Sequence, residues 1–192
     1  MSRLSKSFYQ RGDVVRIARE LLGKYLFTRF DRKLTGGIIT ETEAYAGVTD
    51  RASHAYGGRR TARTEIMFME GGHAYIYLCY GIHSLFNVVT NKKDIPHAIL
   101  IRSIKPTHGI PVILKRRNMA KLEKNVASGP GTVAQSLGIH YSNTGVNLLG
   151  NKIWIEDRKY PVIQNQIITG KRVGVEYAGS DAALQYRFIL KT

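Results

Sequence analysis

The amino-acid sequence predicts an α+β fold: a single compact domain over residues 1–192, built around a curved, mostly antiparallel sheet with a protruding β-hairpin. Strand-like segments outnumber helical ones and do not alternate with them regularly, which favours this class. Two strand-like stretches follow each other directly across Tyr80 and Gly81, as in a hairpin. With 43% hydrophobic residues among 192, the chain can bury one core of its own.

The first half of the chain is predicted to contain one helix followed by two strands. Residues 14–22 should be helical, because their apolar side chains recur on one face. Asp13 can cap the first turn of this helix, and Gly23 can end it. The elements expected next are strands at 25–30 and 37–45, a turn between them at 31–37, and a loop rich in glycine and arginine at 57–63.

The second half of the chain is predicted to begin with the hairpin and to end in short strands. Alternating apolar residues indicate the strands, and the glycines of the SGPG segment indicate a helix start. The elements expected are the hairpin at 73–90, a strand at 98–103, helices at 110–126 and 128–139, and strands at 152–157, 161–170 and 184–190.

The charge balance indicates a polyanionic partner. Lys and Arg number 29 against 14 Asp and Glu, a formal net charge of +15. Neutralising phosphates releases counterions, so such a chain is suited to nucleic acid. The alternative is a basic surface that only aids solubility.

The single cysteine, Cys79, excludes an internal disulfide framework and an all-cysteine zinc site. No apolar run approaches the ~20 residues of a membrane span, and the N-terminus lacks the apolar core of a secretion signal. We therefore expect a protein of the cytoplasm, or of the nucleoid if it is bacterial, with no membrane partner.

The segment ETEAY at 41–45 is the first candidate for chemistry. A strand has a period of two, so Glu41, Glu43 and Tyr45 should share one face. A carboxylate there can take a proton from water as that water attacks an electron-poor carbon. The alternative is an exposed strand edge with solvated glutamates.

The run RASHAYGGRRTAR at 51–63 can bind phosphates through its arginines. His54 within it has no metal-ligand spacing, so it is either a hydrogen-bonding or stacking group, or a satisfied core histidine. In the hairpin, Tyr75 and Tyr77 should point to one face, where rings can stack on bases, although Tyr75 fits a sheet core better. Tyr80 at the tip can intercalate between base pairs.

Asn87 and Arg102 are polar residues within apolar stretches, and each would need a partner if buried. Asn87 can donate to a base carbonyl while refusing an exocyclic amine. Arg102 can orient a water molecule or a catalytic carboxylate. Taken singly, either residue is more often structural.

Together these segments resemble the alkyladenine (3-methyladenine) DNA glycosylase family, in the same order over nearly the whole chain. The matching segments are ETEAY (41–45), RASHAYGGRRTAR (51–63), MFM (67–69), YIYLCYG (75–81), Asn87, LIRSIKP (100–106), SGPG (128–131) and RVGVEYAG (172–179). Two departures stand out: Thr132 replaces a lysine common in the family, and Ile82 and His83 occupy variable positions beside the hairpin tip.

The resemblance implies a role for each matched residue. Glu43 corresponds to the general base, and Arg102 to the arginine that helps hold the nucleophilic water. Tyr45, His54 and Tyr77 correspond to the lining of a flipped-base pocket that Glu43 faces, Asn87 to the residue that discriminates among purines, and Tyr80 to the intercalating residue. DNA-backbone contacts are expected from Arg59, Thr61, Arg63, Met67, Arg116 and Arg117.

The resemblance further implies a monomeric enzyme that excises alkylated or deaminated purines from double-stranded DNA, leaves an abasic site, and needs no metal or cofactor. The matched pocket segments contain no evident reactive lysine, so we expect simple hydrolysis without a Schiff base. The main alternative is a non-catalytic basic nucleic-acid-binding protein. A hydrolase of acidic small molecules is disfavoured, because the sequence contains no nucleophile elbow, phosphate loop or metal constellation.

Overall fold

Nine strands and four α-helices are described over residues 2–191 of the computed structural model. The strands are β1 (Ser2–Arg3), β2 (Tyr25–Phe30), β3 (Lys33–Tyr45), β4 (Ala74–Cys79), β5 (His83–Thr90), β6 (His97–His108), β7 (Ile153–Asp157), β8 (Ile167–Gly170) and β9 (Arg187–Leu190). The helices are α1 (Lys6–Tyr9), α2 (Val14–Glu20), α3 (Ile110–Arg117) and α4 (Pro130–Leu137).

Strand β3 lies at the centre of one antiparallel sheet with the order β1-β7-β2-β3-β6-β5-β4. Its first half pairs with β2, its residues Glu41–Glu43 pair with β9, and β6 pairs along its other edge. Strand β8 extends the sheet beyond β9. The predicted α+β class with a mostly antiparallel sheet is therefore confirmed, and three different strands meet around the ETEAY segment.

Both faces of β3 are covered, so its burial does not alternate. On one face, Thr42 donates a 2.8 Å hydrogen bond to the Ala18 carbonyl of α2, next to the buried core residues Ile17 and Leu21. Glu41 and Glu43 project from the opposite face, where both contact Arg102. The expectation that the two glutamates share a face is confirmed.

Several predicted boundaries are correct and others are wrong. The helix starts at Val14 with Asp13 as its cap, and the strand at 25–30 and the hairpin form as expected. The turn after β2 is shorter than predicted: Asp31 and Arg32 suffice, because both adopt positive φ and match the twist of the flanking strands.

The helix predicted at 110–126 is too long. It ends at Arg117, because Asn118 adopts the left-handed conformation and donates its N–H back to the last turn. The strand predicted at 161–170 is confined to β8, whereas β6 continues five residues beyond the predicted end at 103. Within residues 2–191, no helix is both long and apolar enough to cross a membrane.

Gly37 should be intolerant of a side chain. A Cβ there would lie 2.5 Å from the carbonyl oxygen of Lys105 and 3.0 Å from Cα of Pro106, at a register shift between β3 and β6. Backbone atoms cannot rotate away, so we expect Gly37→Ala to destabilise the fold by about 1–3 kcal/mol. Urea unfolding measures this.

Gly170→Ala is the matched control, because Gly170 also lies in a strand and a Cβ there meets nothing within 4 Å. It should change the free energy of unfolding by no more than about 0.5 kcal/mol. Equal unfolding midpoints for the two variants would contradict the steric account of Gly37.

Candidate active site

A cavity of about 430 Å³ opens on the face of β3 that carries the two glutamates. Its wall combines the β4–β5 hairpin, the ends of β3 and β6, the N-terminus of α4 and the segment after β8. Residues that line it include Tyr45, His54, Met67, Tyr75, Tyr77, Cys79, Asn87, Leu100, Arg102, Arg117, Thr132, Val173 and Tyr177. All five residues expected from the sequence to hold the flipped base or the water line this cavity: Tyr45, His54, Tyr77, Asn87 and Arg102.

Strand register explains why residues distant in sequence meet here. Tyr75 is opposite Asn87, Asn87 is opposite Leu100, Leu100 is opposite Glu43, and Glu43 is opposite Arg187. Directly paired residues project to the same face of a sheet. One row of side chains therefore crosses five strands, and three of its members, Tyr75, Asn87 and Leu100, line the cavity.

Glu43 lies one layer behind the cavity surface rather than on it. Its side chain has no exposed area, and Tyr45, Arg102 and Val173 stand between it and the cavity. The Val173 N–H donates to Oε1 at 2.8 Å and the Tyr45 hydroxyl donates to Oε2 at 2.9 Å. The expectation that Glu43 itself faces the pocket thus needs correction.

Burial raises the pKa of the Glu43 carboxyl above its ordinary value. The nearby guanidinium of Arg102, the Val173 N–H and the Tyr45 hydroxyl each oppose the rise, and the charge of Glu41 adds to it. A carboxylate whose pKa is raised, yet which keeps donors for its charged form, is a stronger base than a solvated glutamate.

Arg102 contacts both glutamates, but not equally. Its Nε donates to Glu41 Oε1 at 2.8 Å and lies 3.4 Å from Glu43 Oε1. The same Glu41 oxygen also accepts from Nε of Arg187 at 2.7 Å. From the sequence, Arg102 was expected to orient a water molecule or the catalytic carboxylate, and no role was expected for Arg187, which lies in the last strand.

A buried ion pair holds the segment that covers Glu43. The side chains of Arg172 and Asp50 are 0% and 1% exposed, and Arg172 also donates to the Ala44 carbonyl at 2.9 Å. This places the neighbouring Val173 N–H against the carboxylate. The RVGV motif at 172–175 was part of the family resemblance. The sequence did not predict that this segment covers Glu43, or that Asp50 pairs with Arg172.

His54, Tyr75 and Tyr77 form an aromatic wall. The ring centroid of His54 lies 4.6 Å from that of Tyr77, and the Tyr75 and Tyr77 centroids are 5.6 Å apart. Tyr75 is 2% exposed, as its core interpretation predicted. The shared face expected for Tyr75 and Tyr77 is confirmed.

Hydrogen bonding determines the tautomer of His54. A guanidinium can only donate, so Nε2 of His54 accepts from Arg63 at 3.3 Å. The ring proton therefore lies on Nδ1, which donates to the Tyr75 hydroxyl at 2.8 Å. Burial, with the charges of Arg63 and Arg59, lowers the pKa of His54 to about 4. The ring is neutral at physiological pH.

The amide of Asn87 has a single permitted orientation. Its two neighbours are carbonyls, those of Tyr75 at 3.1 Å and Leu85 at 3.2 Å, so Nδ2 must face both. The oxygen is then the amide atom left for a ligand. The expected donation from Asn87 to a base carbonyl is unavailable in this arrangement.

The hairpin tip and the basic surface flank the cavity. Tyr80 is 92% exposed with positive φ, and Ile82 beside it is 73% exposed. Arg59, Thr61 and Arg63 line an open groove that shares His54 with the cavity.

Two expected DNA-backbone residues lie elsewhere. Met67 is 2% exposed and packs in the cavity wall. Arg116 is engaged by Thr35 at 3.1 Å and the Ser136 carbonyl at 3.2 Å. Thr132 caps α4, because its hydroxyl accepts from the Gly129 N–H at 3.0 Å.

A cavity with stacking walls above a buried carboxylate, on a chain of net charge +15, suits an enzyme that acts on one base of a nucleic acid at a time. Comparison with known proteins identifies the family. Residues 7–192 match the model of the methylpurine-DNA glycosylase (MPG) family. The chain belongs to that family.

Bacterial relatives named "Putative 3-methyladenine DNA glycosylase" agree with this assignment. The Chlamydia felis protein is 43% identical over 188 residues, covering 97% of this chain and 95% of the relative. Those of Clostridium novyi and Desulfitobacterium hafniense are each 37% identical over 198 residues, covering 100% of this chain and 96% of theirs. The chain is thus a DNA glycosylase, a DNA-repair hydrolase acting on alkylated purines, and not a non-catalytic binding protein.

Arg63 should keep His54 neutral. Arg63→Gln removes the nearest positive charge from the ring, so we expect the pKa of His54 to rise from about 4 towards its ordinary value of 6.5. An NMR titration of the His54 ring protons measures the change. Arg60→Gln is the control, because Arg60 is in the same loop but pairs with Glu65 and Asp94. An unchanged His54 titration in Arg63→Gln would refute the electrostatic role.

Proposed function

We propose that this glycosylase flips alkylated or deaminated purines out of double-stranded DNA and hydrolyses the N-glycosidic bond with Glu43 as general base, leaving an abasic site. The substrates proposed are 3-methyladenine and 7-methylguanine, with hypoxanthine and ethenoadenine as further candidates. The observation that carries the mechanism is the wholly buried Glu43 carboxylate beneath an aromatic, base-sized cavity.

Glu43 retains the capacity to accept a proton. Two carboxylate oxygens offer about four lone-pair sites. The Val173 N–H occupies one site on Oε1, which Nε of Arg102 approaches to 3.4 Å, and the Tyr45 hydroxyl occupies one site on Oε2. Since the carboxylate has no exposed area, a water molecule reaches it only after a shift of the Tyr45 side chain or of the covering segment at 172–175. The proposal therefore includes a small local opening when DNA binds.

Cleavage of the C1′–N bond builds positive charge on the sugar, as in other glycoside hydrolyses. Glu43 takes the proton of the attacking water, and the electron pair of the broken bond leaves with the base. Purines alkylated at N3 or N7 are cationic and depart without further protonation. The cavity-lining residues among those described include no lysine, which supports hydrolysis rather than a Schiff base.

The cavity wall is suited to a cationic, planar base. Tyrosine faces attract cations, and Tyr45 and Tyr77 both line the cavity. A neutral His54 adds a ring without adding a repelling charge. We propose that these three residues hold the flipped base, and that Asn87 offers its amide oxygen to the base and thereby influences the choice among purines.

The remaining contacts are proposed to hold the duplex without reading its sequence. Arg59, Thr61, Arg63 and Arg117 lie along the groove and cavity rim, where phosphates would approach. The exposed Tyr80 would fill the gap left by the flipped nucleotide. We propose that the enzyme acts as a monomer on nucleoid DNA.

Glu43→Gln should abolish base release while leaving DNA binding intact. The amide keeps the size of the side chain and can still accept from the Val173 N–H, but it cannot take a proton from water. Single-turnover excision from duplexes containing 3-methyladenine, 7-methylguanine, ethenoadenine or hypoxanthine, scored as abasic sites, measures the first effect, and a gel-shift assay measures the second. Excision at the rate of the unsubstituted enzyme would sink the mechanism.

Tyr80→Ala should slow flipping without destabilising the fold. The side chain is 92% exposed, so its removal should change the free energy of unfolding by no more than about 0.5 kcal/mol. Flipping is followed with a fluorescent base placed beside the lesion. Ile82→Ala, at another exposed apolar position of the tip, is the control. Unchanged flipping kinetics in Tyr80→Ala would remove the intercalating role.

A further inference from the structure

We infer that Glu41 and Arg187 are positioning residues for the reaction: together they hold Arg102 at the cavity wall, hydrogen-bonded to Glu41 and 3.4 Å from Glu43. This inference rests on the proposed function, because it assigns a purpose to the surroundings of Glu43. Neither residue lines the cavity, so neither would touch the flipped nucleobase or the attacking water, and neither is a catalytic residue.

The hydrogen-bond pattern supports this role. Arg102 uses Nε on Glu41 at 2.8 Å, and over residues 2–191 its terminal nitrogens make no protein hydrogen bond, although Arg102 lines the cavity. The terminal NH₂ groups are therefore left for a water molecule or for DNA. A guanidinium hydrogen-bonded to Glu43 instead would occupy lone pairs that Glu43 needs in order to accept the proton of water.

Arg187 balances the charge of Glu41. The two arginines donate to the same oxygen of Glu41, at 2.8 Å and 2.7 Å, and β9 places Arg187 opposite Glu43. Glu41 is 12% exposed and Arg187 is 28% exposed, so solvent screens this pair only partly. Without Arg187, less of the negative charge of Glu41, next to Glu43, would be neutralised.

The groups that face Glu43 come from every element packed against it. On β3 they are Glu41 and Tyr45, on β6 Arg102, on β9 Arg187, and after β8 Arg172 with its partner Asp50. Among them, Glu41 and Arg187 can be changed without touching the cavity wall or the buried Arg172–Asp50 pair.

The test compares pH–rate profiles of Glu41→Gln, Arg187→Gln and the double variant. Single-turnover excision is measured on duplex DNA containing 7-methylguanine, whose departure needs no proton, so the acid limb reports the protonation of Glu43. Enzyme-free loss of the base is subtracted at each pH. Unfolding midpoints establish that each variant is folded in the assay.

Glu41→Gln and Arg187→Gln are expected to shift the acid limb of the pH–rate profile in opposite directions. Glu41→Gln removes a like charge, so the acid limb should move about 1 pH unit lower, and the plateau rate should fall about 10-fold as Arg102 closes onto Glu43. Arg187→Gln removes an opposite charge and should move the acid limb about 0.5 pH unit higher. The double variant should place the limb between those of the two single variants, about 0.5 pH unit below its original position. Arg187→Lys should leave the limb unmoved.

Glu156→Gln and Arg158→Gln are the matched controls. Their side chains form a similar ion pair on and beside β7, 2.8 Å apart and 15% and 23% exposed, outside the cavity. They should lower stability comparably without moving the acid limb. A purely structural role for Glu41 and Arg187 would give the same result as these controls.

The outcomes separate the inference from the proposed function. If Glu43→Gln abolishes excision while the acid limbs of Glu41→Gln and Arg187→Gln coincide with that of the unsubstituted enzyme, the positioning role is overturned and the general base stands. If Glu43→Gln itself still excises, the proposed function fails. Opposite shifts in the two single variants, with an intermediate acid limb in the double variant, support the positioning role.

Discussion

The burial of one carboxylate constrains the architecture around it. A charged group without exposed area is tolerated only when donors surround it. For Glu43 these donors are the Val173 N–H, the Tyr45 hydroxyl and the nearby Arg102. Each comes from a different part of the chain, so the C-terminal segment, the end of β3 and strand β6 must all be in place before the site exists.

The charged groups around Glu43 are also paired with groups of opposite charge. Glu41 takes up both Arg102 and Arg187, and the fully buried Arg172 is matched by Asp50. The aromatic wall, by contrast, carries no formal charge at neutral pH, because burial and neighbouring arginines keep His54 unprotonated. The aromatic wall therefore adds no positive charge to that of Arg102 and Arg117, the two arginines that line the cavity.

Much of the fold was accessible from local pattern. The strand at 25–30, the hairpin and the start of α2 follow from alternation, periodicity and a capping aspartate. Two of the errors occurred where a single backbone conformation decided the boundary. Asn118 in the left-handed region ends α3 nine residues before the predicted end at 126, and positive φ at Asp31 and Arg32 shortens a turn. Side-chain hydrophobicity carries no signal for such conformations.

The sequence by itself determined the family, the shared face of Glu41 and Glu43, and the polyanionic partner, because motif order, strand period and charge are properties of the chain alone. Only the tertiary structure decided that Arg102 bonds to Glu41 more closely than to Glu43, that Asn87 turns its nitrogen towards two backbone carbonyls, and that Val173 covers Glu43. These contacts depend on strand register and on which acceptors each donor can reach in the folded chain. The Val173–Glu43 contact joins residues 130 positions apart, and a local sequence pattern cannot predict such a contact.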